Sequence, residues 1–368
     1  MKIALVHDYL NEFGGAERVL LALSEIWSKA PIYTAFYKKG SPAWERFKSK
    51  DVRVSWVHHI PFFSRYLHSP LRFLAPLIWN SFDLSKYDLV IGSSGWYITK
   101  GFKKKGKKTI EICYCHTPPR WLYGYKTSIE LQKYWPVRIY AAIVGHFMRM
   151  YDFKAAQKVN FFVANSKEVA ERIEKFYKKR ATVIYPPVEI PEVSIASHSR
   201  GGYYLVISRI VGGKGLDLAV GAAAKLGIKL IIAGKPAGYY QEYKKLSKLA
   251  KKNVEFLDYV DDQKMVKLYA GAKAFLALSE DEDFGMTPVE AMLCGTPVIA
   301  FRGGGYTESV IEGKTGVFFN EPTVDSLIAA IKEFDKMNIK PEDCINRAKN
   351  FSKERFKKEI QQFINNHA

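Results

Sequence analysis

Short apolar segments with the length of β-strands alternate with amphipathic helical segments along the chain, in two successive series. The first series contains the strand-like segments KIALVHDYL, YDLVIGSS, KTIEICYCH and KVNFFVANS, and the second contains YYLVISRI, KLIIAGK, NVEFLDYV, AFLALS and TPVIAF. This alternation is typical of parallel α/β sheets with right-handed crossovers. We therefore predict two doubly wound α/β domains that face each other across a cleft.

Two consecutive prolines mark the predicted boundary between the domains. The second series starts near Ala181 with TVIYPPV, and Pro186 and Pro187 can continue neither a helix nor a central strand. We predict an N-terminal domain at residues 1–186 and a C-terminal domain at residues 187–351. A last helix at residues 352–368 could pack back on the N-terminal domain.

Length and hydropathy agree with a two-domain globular protein. The chain has 368 residues, enough for two cores of ordinary size. It lacks a run of about eighteen uncharged apolar residues, so we expect no membrane-spanning helix. The first apolar run meets His7 and Asp8 too early for a signal peptide. Four cysteines without metal-binding spacing predict buried thiols, and we expect a cytoplasmic location.

The charge is concentrated in the N-terminal half. The formal net charge is +19, and residues 1–200 carry about +16 of it. A basic face favours nucleic acid, anionic lipid or a phosphorylated small molecule. Two aromatic segments with interspersed basic residues, at 61–82 and 134–153, could be core helices or could contact a bilayer on the inner leaflet. The lysine run at residues 103–108 could be a solvated loop or part of an anionic-surface contact.

An acidic loop that leads directly into a helix is the most informative motif of the C-terminal half. Residues 282–290 read EDFGMTPVE after the strand AFLALS. Three backbone N–H groups would be free at the start of this helix, those of Gly285, Met286 and Thr287. Such groups form an anion site at the positive end of the helix dipole. Carboxylates at its edges, from Glu282 and Glu290, suit hydroxyl groups, so we predict a nucleotide-sugar site. A solvated acidic loop is the alternative.

Two cations lie at the end of another strand of the same half. Arg209 offers a bidentate fork for phosphate oxygens and Lys214 a point charge. Together they could stabilise a departing diphosphate without a metal, although an exposed loop with two cations is the alternative. Asp281 and Asp283 also spell D-x-D, a pattern used for Mg²⁺ or Mn²⁺. Because the helix start already supplies positive charge there, we predict that neither a metal nor another cofactor is needed.

Two motifs follow strands of the N-terminal half. The turn NEFGGAE contains Gly14 and Gly15, which permit a close approach of the backbone at a helix start. Asp8 could touch an acceptor hydroxyl or merely cap this turn. His116 ends another strand and precedes a rigid Pro-Pro pair, at the edge where doubly wound sheets bind ligands. We therefore include His116 in the candidate site.

The order and spacing of these motifs resemble those of the family 4 retaining glycosyltransferases, which have the Rossmann-like two-domain GT-B fold. The matching motifs are Gly14-Gly15-Ala16-Glu17, His116-Thr117-Pro118-Pro119, Ser208-Arg209 with Lys214, and the E-x7-E pair Glu282 and Glu290. The runs HTPPRW and EDFG look most like those of bacterial mannosyltransferases of polysaccharide and O-antigen assembly, which use GDP-mannose.

The resemblance implies roles for individual residues. The catalytic set would be Arg209, Lys214, Glu282 and His116: the two cations on the diphosphate, the carboxylate on sugar hydroxyls, and the imidazole beside the anomeric carbon. The donor would also contact Gly15, Gly234, Tyr259, Val260, Gly285, Met286, Thr287 and Glu290, the last of them at the ribose. We assign Asp8, Gly14 and Glu17 to the acceptor.

The predicted reaction moves a sugar, mannose by this resemblance, to a saccharide or lipid-linked saccharide and releases GDP. Retention usually suggests a carboxylate nucleophile, and the sequence offers no clear one. We therefore predict a same-face substitution in which the leaving diphosphate takes the acceptor's proton. A nucleotide-sugar epimerase or a phosphorylase on the same fold is one alternative. A basic nucleic-acid or membrane-binding module is another, although the candidate residues lie at strand ends rather than along a basic stripe, so nucleic acid is not an expected partner.

Overall fold

The computed structural model describes residues 1–102, 108–125, 135–191, 201–236, 241–258 and 260–368. Contacts divide the chain into two compact units. The first unit contains the described residues up to Pro187 together with Lys353–Ala368, and the second contains those from Val188 to Ser352. The predicted boundary after residue 186 lies one residue from this division.

The first unit is built on a seven-stranded sheet. Its strands are β1 Ile3–His7, β2 Ile32–Thr34, β3 Val52–Val54, β4 Leu89–Ser94, β5 Ile110–Cys115, β6 Phe161–Ala164 and β7 Ala181–Val183. The order is β3-β2-β1-β4-β5-β6-β7, and the paired strands are parallel. The sheet therefore has a topological switch point between β1 and β4, where the order reverses.

The described residues of the first unit contain six α-helices. They are α1 Gly15–Ile26, α2 Pro42–Phe47, α3 Ala75–Asn80, α4 Trp135–Lys158, α5 Lys167–Tyr177 and, from the C-terminal end of the chain, α13 Lys353–His367. Helix α13 buries Phe356, Ile360, Phe363 and Ile364 in the same core cluster as Leu5, Leu20 and Ile112. Lys353 and Lys357 bind Glu25 of α1 at 2.9 and 2.7 Å. The last helix thus completes the core of the first unit.

The second unit has a six-stranded parallel sheet. Its strands are β8 Tyr203–Ile207, β9 Lys229–Ala233, β10 Val254–Leu257, β11 Ala274–Ala277, β12 Val298–Phe301 and β13 Gly316–Phe319. Their order is β10-β9-β8-β11-β12-β13, which puts the switch point between β8 and β11. The helices are α6 Leu216–Leu226, α7 Gln241–Leu249, α8 Asp262–Gly271, α9 Met286–Leu293, α10 Tyr306–Ser309, α11 Val324–Phe334 and α12 Pro341–Ala348.

Two sequence interpretations of the first unit need correction or refinement. The segment TVIYPPV does not open the second half, because β7 pairs with β6 at the edge of the first sheet. Residues 61–82 form no single helix: a π-helical turn, a 3-10 turn and the short α3 share the segment. In both units together, the four cysteines are buried thiols that form no disulfide, as the sequence predicts.

Within the described residues, no helix combines the length and the apolar character needed to cross a bilayer.

Candidate active site

The loops that follow β8 and β11 bring two predicted residues of the second unit into contact. Lys214 lies in the loop after β8 and Glu282 in the loop after β11, on either side of the switch point. The Nζ atom of Lys214 is 2.8 Å from Oε2 of Glu282, and the side chains are 29% and 20% exposed. Cation and carboxylate are thus adjacent and partly exposed to solvent, so they can meet phosphate oxygens and hydroxyls. Arg209 is exposed on the same loop as Lys214.

The start of α9 lies directly beside this ion pair in the chain. Gly285 is the N-cap, so that Met286 and Thr287 are the first two helical residues. The backbone of Gly285 has φ +82°, and a Cβ there would lie 2.5 Å from the ring of Tyr306. Glycine is required at this position by both conformation and space. The first N–H groups of a helix have no partner inside it, so this start is suited to an anion.

A glycine-rich turn after β12 supports the Glu282 loop. The N–H of Gly305 donates to the backbone oxygen of Glu282 at 3.0 Å. The hydroxyl of Tyr306 is 3.5 Å from Oε2 of Glu282. Sequence reasoning missed Tyr306, although the triple glycine at residues 303–305 after a strand was a usable signal.

Glu290 is more deeply buried than its predicted ribose contact suggests. It lies on the second turn of α9, is 3% exposed, and its Oε2 accepts a hydrogen bond of 2.7 Å from the hydroxyl of Tyr269. One carboxylate oxygen is therefore committed inside the protein. The ribose role stays a prediction, and Tyr269 was not anticipated from the sequence.

The predicted contacts to the base fall on the edge of the sheet around β9 and β10. Gly234 follows β9 with φ +149°, and a Cβ there would be 2.0 Å from the backbone oxygen of Ser208. This glycine lets the loops after β8 and β9 approach each other, which explains its identity without a ligand. Val260 is partly buried beyond β10, and Tyr259 lies outside the described residues.

In the first unit, Asp8 binds the loop after β4. Its Oδ2 accepts hydrogen bonds from the backbone N–H groups of Trp96 at 2.6 Å and Tyr97 at 3.2 Å, and its Oδ1 accepts one from the hydroxyl of Thr99. Burial raises the pKa of Asp8, while the nearby His7 and these hydrogen bonds oppose the shift. The recorded contacts are those of a residue that holds a turn, and contact with an acceptor stays a prediction.

The other predicted residues of the first unit lie around the start of α1 and the end of β5. Gly14 is the N-cap of α1 and Gly15 its first residue, and the N–H of Gly14 donates to Oε2 of Glu17 at 2.8 Å. His116 follows β5 and contacts Ser93 of β4. Burial, together with the nearby His7, lowers the pKa of His116 to about 3, so this ring is neutral at physiological pH.

The structure therefore groups the candidates in two sets, one at the carboxyl edge of each sheet. Lys214, Glu282 and the start of α9 form one set, and Asp8, Glu17 and His116 the other. Within the described residues, no group of three or more His, Cys, Asp or Glu side chains could hold a metal ion. Of the predicted lysine run, only Lys108 lies among the described residues, and it is exposed.

Two glycosyltransferase family models match the chain, one in each half. Residues 13–191 match the model described as Glycosyltransferase Family 4. Residues 193–351 match the model described as Glycosyl transferases group 1. The chain belongs to the family 4 glycosyltransferases. The two matches divide the chain close to the boundary between the two units, so each unit corresponds to one part of the family architecture.

Two individual relatives share less than a third of their residues with this chain over the matched regions. D-inositol 3-phosphate glycosyltransferase of Corynebacterium efficiens is 29% identical over 162 residues, and this match spans 40% of the chain but only 38% of that relative. Alpha-1,3/1,6-mannosyltransferase ALG2 of Mus musculus is 24% identical over 371 residues, which cover 87% of this chain and 84% of that protein.

A solved structure supports the fold over the full length. Anabaena Alr3699/HepE in complex with UDP-glucose has a TM-score of 0.74 with 18% identity, and the match covers 100% of both chains. At this identity the similarity concerns the fold alone. It confirms the predicted fold class of two Rossmann-like α/β domains.

Proposed function

We propose that this family 4 glycosyltransferase moves a sugar from a nucleotide-sugar donor to an acceptor, with retention and without a metal. The second unit binds the donor, and the first unit binds the acceptor. The observation that carries the proposal is the contact between Lys214 and Glu282 next to the start of α9, at the switch point of the second sheet. Cation, helix start and carboxylate are the groups that a diphosphate and a neighbouring sugar require.

Electrostatics explains how the donor competes with the ion pair. One unit charge at contact distance from Lys214 contributes about 4 kcal/mol at an effective dielectric of 20. Glu282 offers one negative charge, whereas a diphosphate carries more and also meets the N–H groups at the start of α9. Donor binding therefore draws Lys214 toward the phosphates and leaves Glu282 to accept hydrogen bonds from sugar hydroxyls. Arg209, exposed on the same loop, supplies the second cation.

Catalysis in this proposal is mainly electrostatic. Arg209 and Lys214 neutralise the diphosphate as the bond to the anomeric carbon breaks. The acceptor hydroxyl attacks from the same face and transfers its proton to the leaving phosphate oxygen, so no carboxylate nucleophile is needed. Binding both substrates in this alignment supplies the remaining acceleration.

GDP-mannose is the donor that we propose. Support comes from the HTPPRW and EDFG runs and from the mannosyltransferase among the relatives. The structural neighbour with UDP-glucose bound makes uridine sugars the main competitor.

A thermal-shift screen of GDP-, UDP- and ADP-sugars tests this proposal. A ligand at about 100 times its Kd stabilises the native state by about 2.7 kcal/mol, so GDP-mannose is expected to raise Tm most. The variant Lys214→Ala should lose most of the shift, and Lys225→Ala, on the exposed surface of the same unit, should keep it. Unchanged Tm with every nucleotide sugar would overturn the proposal. Transfer should also persist with a chelator, and a phosphate requirement would instead indicate a phosphorylase.

We propose a lipid-linked saccharide on the inner leaflet as the acceptor, because α4 presents an apolar stripe to solvent. Its exposed members are Trp135, Ile139, Ile143, Phe147, Met150 and Phe153. These positions recur every three or four residues, so they lie along one side of the helix. Gly145, Met148, Asp152 and Ala155 face the interior instead. Exposed Arg138 and Arg149 add positive charge to the same helix, which favours an anionic bilayer surface.

A further inference from the structure

Four side chains form a continuous hydrogen-bonded chain at the carboxyl edge of the first sheet. Oε1 of Glu17 is 3.4 Å from Nε2 of His7, and Nδ1 of His7 is 2.9 Å from the hydroxyl of Ser93. The same hydroxyl is 2.8 Å from Nε2 of His116. His7 is 1% exposed and Ser93 is fully buried, so water does not compete for the central contact between them.

Sheet register and helix capping put the four residues together. His7 ends β1 and is paired with Ser93 in the adjacent β4. His116 follows β5, on the other side of β4, and its backbone N–H donates to the carbonyl of Ser94 at 2.8 Å. Glu17 is fixed at the third position of α1, because its other oxygen accepts from the N–H of Gly14. None of these partners depends on a bound ligand.

The carboxylate of Glu17 sets the donor and acceptor in each hydrogen bond of this series. A carboxylate can only accept, so Nε2 of His7 carries a proton toward Glu17. A neutral His7 then has a bare Nδ1, which must accept the hydroxyl proton of Ser93. The oxygen of Ser93 is left as an acceptor, so it takes a proton from Nε2 of His116. A neutral imidazole has only one N–H, and Nδ1 of His116 is therefore bare.

We propose that Glu17, His7 and Ser93 are positioning residues that hold His116 as the Nε2–H tautomer, with Nδ1 presented as a hydrogen-bond acceptor. Nδ1 makes no hydrogen bond to another described residue. An acceptor nitrogen can bind a hydroxyl group and cannot donate to a phosphate oxygen. His116 thus recognises a sugar hydroxyl and contributes nothing to neutralising the diphosphate. Recognition of a sugar hydroxyl by His116 rests on the proposed function. The assignment of the tautomer rests only on the hydrogen bonds described above.

Nitrogen NMR of the unliganded protein with ¹⁵N-labelled histidine tests the tautomer. The His116 signals are assigned by their loss in His116→Gln, and spectra are recorded at about pH 8, above the ordinary pKa of histidine. We expect a protonated Nε2 and a bare Nδ1 in the wild type. A protonated Nδ1 on His116 would overturn the proposal.

Two variants test whether the hydrogen bonds of Glu17 and Ser93 fix the tautomer of His116. Glu17→Gln keeps a side chain that can cap α1 but can both donate and accept, so both tautomers of His116 should appear. Ser93→Ala removes the link and should have the same effect. Glu171→Gln, exposed on α5, is the matched control and should leave the spectrum unchanged. Wild-type His116 signals in both Glu17→Gln and Ser93→Ala would contradict the proposal.

An activity measurement separates this proposal from the proposed function. If sugar transfer is found, Glu17→Gln should lower kcat/KM about tenfold, the effect of one lost hydrogen bond. If a variant in which the tautomer of His116 has changed keeps full activity, the proposed role of His116 in recognising a sugar hydroxyl is wrong. Absence of transfer in the wild type, with the tautomer as expected, would end the proposed function and leave the positioning chain intact.

Discussion

Lys214 has two competing partners in the proposed reaction, and this makes it the most informative single residue. In the unliganded protein it binds Glu282 at 2.8 Å. Both groups are partly exposed, so the pair contributes little to stability. A change at Lys214 should therefore affect the reaction far more than the fold.

We expect Lys214→Ala and Arg209→Ala each to lower kcat/KM by about 10²–10³, because each removes one charge that stabilises the departing diphosphate. Steady-state kinetics with the best donor of the screen measures the effect. Lys225→Ala removes a lysine from an exposed pair with Asp325 and should change kcat/KM little. Wild-type kinetics in both active-site variants would exclude these residues from catalysis.

His116 links the site to the pH dependence of stability. Burial and the nearby His7 lower its pKa to about 3, while a histidine in the unfolded chain titrates near 6.5. Between these values the unfolded state binds one proton more, so the free energy of unfolding decreases as the pH falls through this window.

The variant His116→Gln should therefore weaken this dependence. Between about pH 6 and pH 4, we expect the free energy of unfolding of the variant to change less steeply with pH than that of the wild type. The two slopes should differ by at most about 1.4 kcal/mol per pH unit, the effect of one proton. Urea denaturation at a series of pH values measures the slope. Asp8, whose pKa is raised, has the opposite effect on the pH dependence of stability. It is present in both the wild type and the variant, so its effect cancels in the comparison. Equal slopes would show that His116 titrates normally in the folded state.

Residue types at strand ends were enough to predict most of the candidate site. Lys214, Glu282 and His116 each follow an apolar strand, and the carboxyl edge is where such sheets bind ligands. His7 and Ser93 were missed because they are 86 positions apart and meet only through the pairing of β1 with β4. No local sequence pattern encodes that register.

A buried ion pair attaches helix α4 to the segment that follows β4. Nζ of Lys100 is 2.5 Å from Oδ1 of Asp152, and both side chains are fully buried. The hydroxyl of Tyr123 donates to Oδ2 of Asp152 at 2.7 Å. The nearby Asp152 raises the pKa of Lys100 in spite of the burial, which acts in the opposite direction. The pair fixes the helix whose outer side carries the apolar stripe.

Removing one partner should destabilise the first unit strongly. We expect Asp152→Ala to cost about 3–5 kcal/mol, because it leaves the charge of Lys100 buried and unpaired. Replacing both partners, as in Lys100→Met with Asp152→Leu, should recover much of this loss. Chemical denaturation measures both, and Asp325→Ala, which breaks an exposed pair, should cost less than about 1 kcal/mol. A mild effect of Asp152→Ala would mean that water reaches Lys100.

Element length decided which parts of the fold could be predicted. The long apolar strands and their helices were found because each repeats a clear pattern over many residues. Strands β2 and β3 were missed, since IYT and VRV have three residues each. The edge strand β7 was assigned to the wrong half, because the prolines that follow it end the chain segment but do not show which sheet it joins.

At the scale of the whole molecule, charge and exposed apolar surface favour the same partner. The chain carries a formal net charge of +19. Basic residues near an anionic bilayer contribute about 1 kcal/mol each, and salt screens this attraction. The stripe on α4 adds an apolar contribution that salt does not remove.

We therefore expect the protein to pellet with anionic liposomes at low salt and to be released partly at high salt. The variants Ile143→Glu and Phe147→Glu, both on exposed positions of α4, should bind at least tenfold more weakly, since a buried carboxylate is costly in the bilayer interface. Leu249→Glu, on an exposed position of α7, should bind as the wild type does. If no protein sediments with the liposomes at low salt, the proposed contact with a bilayer is wrong.

Because α13 completes the core of the first unit, the polypeptide returns from the second unit to the first after Ser352. During synthesis, the ribosome must finish the second unit before the segment that seals the first one emerges. The nascent first unit therefore waits with the surface around Leu20 and Ile112 uncovered, the kind of exposed apolar surface that chaperones bind. Maturation of this protein should depend on the arrival of the fifteen-residue helix α13, so that both units become complete almost together.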